Sequence, residues 1–175
     1  MAGRTPVDAV ENYVGPLQVA VSVVAPAVWN VSGGYDLGRE HTATTGKPFK
    51  LRGVPLYMSI TQQYRIVKAT GESGPYRVHT TAYNYAMEDP GAQEIIAFHW
   101  HPNVANVPRP HIHLKAGAKV QRPQLQKAHI PSGRVAVEDV IRLAITEFGA
   151  RPLRKQWADL LESTQAAFEH WRTWG

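Results

Sequence analysis

Tyr57-Met-Ser-Ile-Thr-Gln-Gln-Tyr-Arg-Ile-Val-Lys-Ala69, the turn Thr70-Gly-Glu-Ser-Gly-Pro75, and Tyr76-Arg-Val-His-Thr-Thr-Ala-Tyr-Asn-Tyr-Ala-Met87 form the stretch that decides the fold. Both long runs are rich in β-branched and aromatic residues, which suit a pleated, half-buried surface. The glycines and proline between them mark a reversal. Glu88-Asp-Pro-Gly91 closes the second run. Residues 93–101 read as a third strand and residues 111–116 as a fourth. Strands joined by short turns fit an antiparallel meander, because a parallel pair needs a long crossover.

Outward from this meander the signals become helical. Val137, Val140, Ile141, Ala144 and Phe148 recur at helical spacing, with Gly149 at the end. Beyond Pro152, Leu153, Trp157, Leu160, Leu161, Thr164, Phe168 and Trp171 form a second stripe. These two helices are expected to cover one face of the sheet. Near the start, Thr5-Pro6 has the form of an N-cap followed by proline at the first helical position. Val7, Val10 and Val14 share a face there, and Gly15-Pro16 is expected to end the helix. Residues 17–31 fit a strand or a helix equally well, and residues 32–48 read as an irregular connector. The expectation is one α+β domain over residues 1–175: a meander at about 56–116, C-terminal helices at about 135–174, and the first 50 residues undecided.

Composition narrows the function. The 175 residues contain no cysteine, which excludes disulfides, thiolate ligands and a cysteine nucleophile. No apolar run approaches the ~20 residues of a membrane span, and no signal peptide is evident, so a cytoplasmic protein is expected. The net charge of +5 permits attraction to nucleic acid or to an acidic partner, but the basic residues form no cluster.

The chemistry lies in the histidines. His99-Trp-His101 and His111-Ile-His113 are both His-x-His, separated by a loop that holds Pro102, Pro108 and Pro110. Side chains alternate along a strand, so each pair sets both imidazoles on one face. Phe98, Trp100, Ile112 and Leu114 then point to the other face, toward the helices. A lone strand histidine is ordinarily a packing or surface residue; two such pairs on facing strands point to a site. A hairpin would set His101 near His111 and His99 near His113, on the side the helices leave uncovered.

Two chemistries suit such a patch. Histidines near neutrality can act as general base and general acid, activating an RNA 2′-hydroxyl without a metal. Alternatively, the same four imidazoles can hold zinc or another first-row divalent ion. Metal sites ordinarily recruit carboxylates to orient the ligands. Glu94 points to the wrong face, and only Glu138 or Asp139 of the helix could arrive. This favours the metal-free reading, with no cofactor. Tyr83 and Tyr85 are read as sharing a face with Arg77 and His79, suited to stacking bases or binding phosphate. His129 and Arg134, before the first long helix, suit an anion.

Tyr83-x-Tyr85, His99-Trp-His101-Pro, Pro110-His-Ile-His113 and Pro131-Ser132 leading to Val137-Glu-Asp-Val-Ile141 together resemble the TumE-like toxins of bacterial toxin–antitoxin pairs. The resemblance spans about residues 76–145. The chain lacks the Arg-Tyr-Asp-Asn that precedes the histidines in that pattern. The resemblance implies a small α+β toxin, a cognate antitoxin and attack on an RNA substrate. A non-enzymatic binding partner is the remaining alternative.

Overall fold

The computed structural model describes residues 2–26, 29–70, 74–103 and 107–171, with side chains to residue 166. In chain order the elements are β1 (Ala2–Gly3), α1 (Pro6–Ser22), β2 (Asn30–Ser32), β3 (Glu40–Thr44), β4 (Phe49–Lys50), β5 (Tyr57–Lys68) and β6 (Tyr76–Glu88). There follow β7 (Glu94–Trp100), β8 (His111–Leu114), a 3-10 turn (Ala116–Ala118), α2 (Pro123–Lys127), β9 (Ile130–Pro131), α3 (Val137–Thr146) and α4 (Trp157–Trp171). Every strand pairing is antiparallel, in the order β2-β3-β5-β6-β7-β8-β9, with β1 beside β6 and β4 beside β5. The α+β meander with helices on one face is as expected.

The amino-terminal half departs from the expectation. Thr5 does cap α1, and its hydroxyl accepts from the Asp8 N–H while Asp8 accepts from the Thr5 N–H, a reciprocal capping box. Gly15-Pro16 does not stop the helix, which continues to Ser22 with Pro16 inside it. The reason is burial: Leu17, Ala20 and Val21 extend the apolar stripe begun by Val10, Tyr13 and Val14. Packing of that stripe outweighs the hydrogen bond that proline removes. Val7 and Val19 lie off the stripe and are exposed. The supposed connector contains β3, whose His41 and Ala43 face Tyr64 and Gln62 of β5 and are buried.

The core fills the space between one sheet face and the helices. Met58, Ile60, Tyr64 and Ile66 of β5 meet Tyr83, Tyr85 and Met87 of β6, Phe98 and Trp100 of β7, and the inner faces of α1 and α3. α1 lies on β5 and β6, while α4 packs chiefly on α1 and α3. Thus the last helix reinforces the helical layer, and α1 supplies cover that the C-terminal helices were expected to give. Leu161 and Thr164 are buried and Trp157 is half-buried, whereas Leu153 precedes the helix and is exposed. The side chains of Phe168 and Trp171, the other members of that stripe, lie outside the described residues.

One irregularity reorganises the sheet. Gln63 faces Ala82 but Tyr64 faces Thr80, so Thr81 is an extra residue in β6. A bulge of this kind reverses which side chains face which way beyond it. Tyr83, Tyr85 and Met87 are buried on one side of the bulge, and Val78 and Thr80 on the other.

Candidate functional site

The pairing of β7 with β8 builds the site. His99 faces His111 and Ala97 faces His113, so the register is shifted by two residues from the expected hairpin, in which His101 would oppose His111. His101 lies just past the end of β7. A connection this long does not pin the register, so the pairing of the two strands themselves sets it. Phe98, paired with Ile112, faces the core as expected.

All four predicted histidines converge. Ring centroids of His99 lie 5.6 Å from His101, 5.6 Å from His111 and 5.0 Å from His113, and His111 lies 4.9 Å from His113. A fifth joins them: His129 is 4.9 Å from His111 and 4.5 Å from His113. The segment after β8 returns through α2, and β9 pairs with β8, carrying His129 over the imidazole face. That face is therefore covered in part. His111 and His113 are buried and His99 and His101 half-buried, not exposed as the sequence suggested.

The polar contacts orient the rings. His111 Nδ1 donates to the Arg109 carbonyl at 2.8 Å, which leaves Nε2 as the bare acceptor. His99 Nε2 and His113 Nδ1 are buried and have no hydrogen-bond partner, as is Oδ1 of Asn84, which faces His99 across the ladder. His99, His111 and His113 each offer a ring nitrogen, and these atoms lie within 4.8 Å of one another. Burial, reinforced by His113, His101, His111 and Lys115, pulls the His99 imidazole down to about 4. Burial, then Lys115, His129 and His111, pulls His113 down to about 4, with the Ala128 carbonyl opposing. Burial and His111 lower His101 as well. At neutral pH His99 and His113 are thus uncharged and carry free lone pairs.

The other predicted residues disperse. Tyr83 and Tyr85 stack at 4.7 Å on the helix-facing side, where Tyr83 OH accepts from the Val135 N–H. The bulge at Thr81 puts Arg77 and His79 on the opposite face, so the four do not form one surface. Tyr85 OH instead accepts from Gln62 Nε2 at 2.6 Å, and Gln62 Oε1 accepts from Tyr13 OH. Arg134 lies 3.5 Å over the Trp100 ring. Glu138 is buried in the helical layer beside Thr164, and Asp139 caps α3 and accepts from Gln165, so neither reaches the imidazoles.

Three contributors escaped the sequence reading. The Arg109 carbonyl and Asn84 were silent because only the register reveals them. Glu40 lay in the supposed connector; with Gln63, Thr81 and His101 it lines a cavity of about 180 Å³ at one side of the cluster. A second cavity, about 220 Å³, is lined by Val107, Arg109, Pro110, His111, His129 and Pro131 at the other. No helix among the described residues is long and apolar enough to cross a membrane. Comparison with protein-family models, with curated proteins and with solved structures found no match.

Proposed function

We propose that the imidazole cluster is a divalent-metal centre of the zinc class, with His99, His111 and His113 as ligands, serving a hydrolytic reaction. One observation carries this reading: three ring nitrogens within 4.8 Å of one another, on two hydrogen-bonded strands. Tetrahedral zinc with bonds near 2.0–2.1 Å holds its ligand nitrogens roughly 3.4 Å apart. The bond from His111 Nδ1 to a carbonyl is the support that metal-bound histidines ordinarily have on their second nitrogen. The unpartnered nitrogens of His99 and His113 fit the same role, since burying a polar atom with no partner is costly. Three imidazoles leave one tetrahedral position for water, and the cavity beside His111 and His129 gives a substrate access.

Metal-stripped protein titrated with zinc or cobalt should take up about one equivalent, the ratio of a three-imidazole site. Cobalt should give the intense visible bands of a tetrahedral ion. His99→Ala and His113→Ala should each weaken uptake by about 100-fold or more, beyond the loss typical of a supporting partner. Because His99 is only half-buried, its variant tests the site even if His113→Ala folds poorly. Uptake unchanged in a folded His99 variant would refute the proposal.

A metal-free ribonuclease is the second reading, favoured by the exposed His129 lying 4.5 Å from buried, neutral His113. That pair suits a general acid beside a general base. It goes with the toxin resemblance, an RNA substrate and an antitoxin partner. RNA cutting that persists in a strong chelator would favour it; cutting lost to chelator and restored by zinc would favour the metal centre.

A further inference from the structure

The turn end of the β5–β6 hairpin holds another polar feature. A pocket of about 630 Å³ is lined there by Lys68, Arg77 and His79, with Val67, Ala69 and Pro75 as apolar wall. Arg65 faces His79 directly across the ladder. Among the described residues neither Lys68 nor Arg77 forms an ion pair. Arg77 Nε is buried and has no hydrogen-bond partner, although a buried guanidinium N–H ordinarily finds an acceptor. Glu40 is engaged with Arg65 at 3.9 Å and Thr81 at 3.1 Å. Burial, then the positive charges of Arg134 and Arg65, lowers the His79 imidazole.

We propose that this pocket binds a small organic phosphate of nucleotide size. A guanidinium offers paired donors to phosphate oxygens, and an ammonium adds a point charge. Volume supports the organic body: 630 Å³ lies within the range of small-molecule sites and far exceeds one phosphate group. Val67, Ala69 and Pro75 supply apolar contact for that body. The pocket is separate from the imidazole cluster. Among the described residues none of the cluster's imidazoles lines it: His101 lies beside Thr81, and Arg77 is four residues further along β6, roughly 13 Å away at strand spacing.

The test uses the full chain stripped of metal by chelation, so that its outcome is independent of the metal proposal. A nucleoside monophosphate, the same nucleoside without phosphate, inorganic phosphate and a short single-stranded RNA are titrated by calorimetry. The monophosphate should bind at least about tenfold more tightly than the nucleoside. Arg77→Gln and Lys68→Gln should each weaken its binding by about tenfold. Lys68 is exposed, so its variant remains informative if Arg77→Gln disturbs the strand. Equal affinity for nucleoside and monophosphate, or binding indifferent to both substitutions, would overturn the proposal. Much tighter binding of RNA, sensitive to the same substitutions, would overturn the small-molecule form and assign the phosphates to a nucleic-acid chain.

Discussion

Glu138 shows how much one residue's surroundings decide. Its carboxyl is 2% exposed, beneath α4, and burial raises its pKa above the ordinary 4.5. The folded chain therefore keeps a proton that the unfolded chain has already released. Stability falls as pH rises through the interval between the two pKa values and stays lower above it. Glu138→Gln should raise the thermal midpoint at pH 8 by about 2–4 °C for each kcal/mol recovered. Below the ordinary value of 4.5 the two proteins should melt together. A variant no more stable than the parent at pH 8 would mean that Glu138 is already satisfied as a carboxylate. The His-x-His spacing was legible at this scale because alternation along a strand needs only local counting. Glu138 was not, since a glutamate beside the α3 stripe does not reveal which helix lies over it.

At the scale of elements, α1 exposes the limit of local punctuation. Gly15-Pro16 is a strong stop signal, and it fails because Leu17, Ala20 and Val21 continue a stripe the sheet buries. The helix nevertheless bears the cost of both residues. A methyl group added at Gly15 meets no atom within 4 Å, and its φ is not positive. Gly15→Ala should therefore stabilise the protein by about 1 kcal/mol, the difference in helix propensity. Denaturant unfolding would show it as a higher midpoint with unchanged slope; a lower midpoint would mean that the backbone at Gly15 is not ordinary helix. β3 was missed for a related reason. Glu40-His-Thr-Ala-Thr44 is short and polar, and it becomes a strand only because β5 offers a partner edge. Likewise, the register between β7 and β8 belongs to the pair and not to either strand.

For the molecule as a whole, the sheet separates two functions by face. The helical layer on one side supplies stability, and the imidazoles on the other supply the candidate chemistry. Leu161, fully buried where α4 meets α1 and α3, tests the division. Leu161→Ala should cost about 2–5 kcal/mol and leave metal uptake by His99, His111 and His113 unchanged. Loss of uptake at temperatures where the variant is still folded would show that the faces are coupled. This division was legible in outline, because apolar and imidazole residues alternate in β7 and β8. It was misread in β6 for want of a single residue. Thr81 acts on that strand as a shifted reading frame acts on a message: every assignment before it is inverted relative to those after it. Deleting Thr81 alone would put the whole strand into one frame. Ala82 and Thr80 would then oppose Gln63 and Tyr64 in succession, so Val78 and Thr80 would keep the core side and Arg77 and His79 the outer one, and the loss of one codon would leave every face assignment intact.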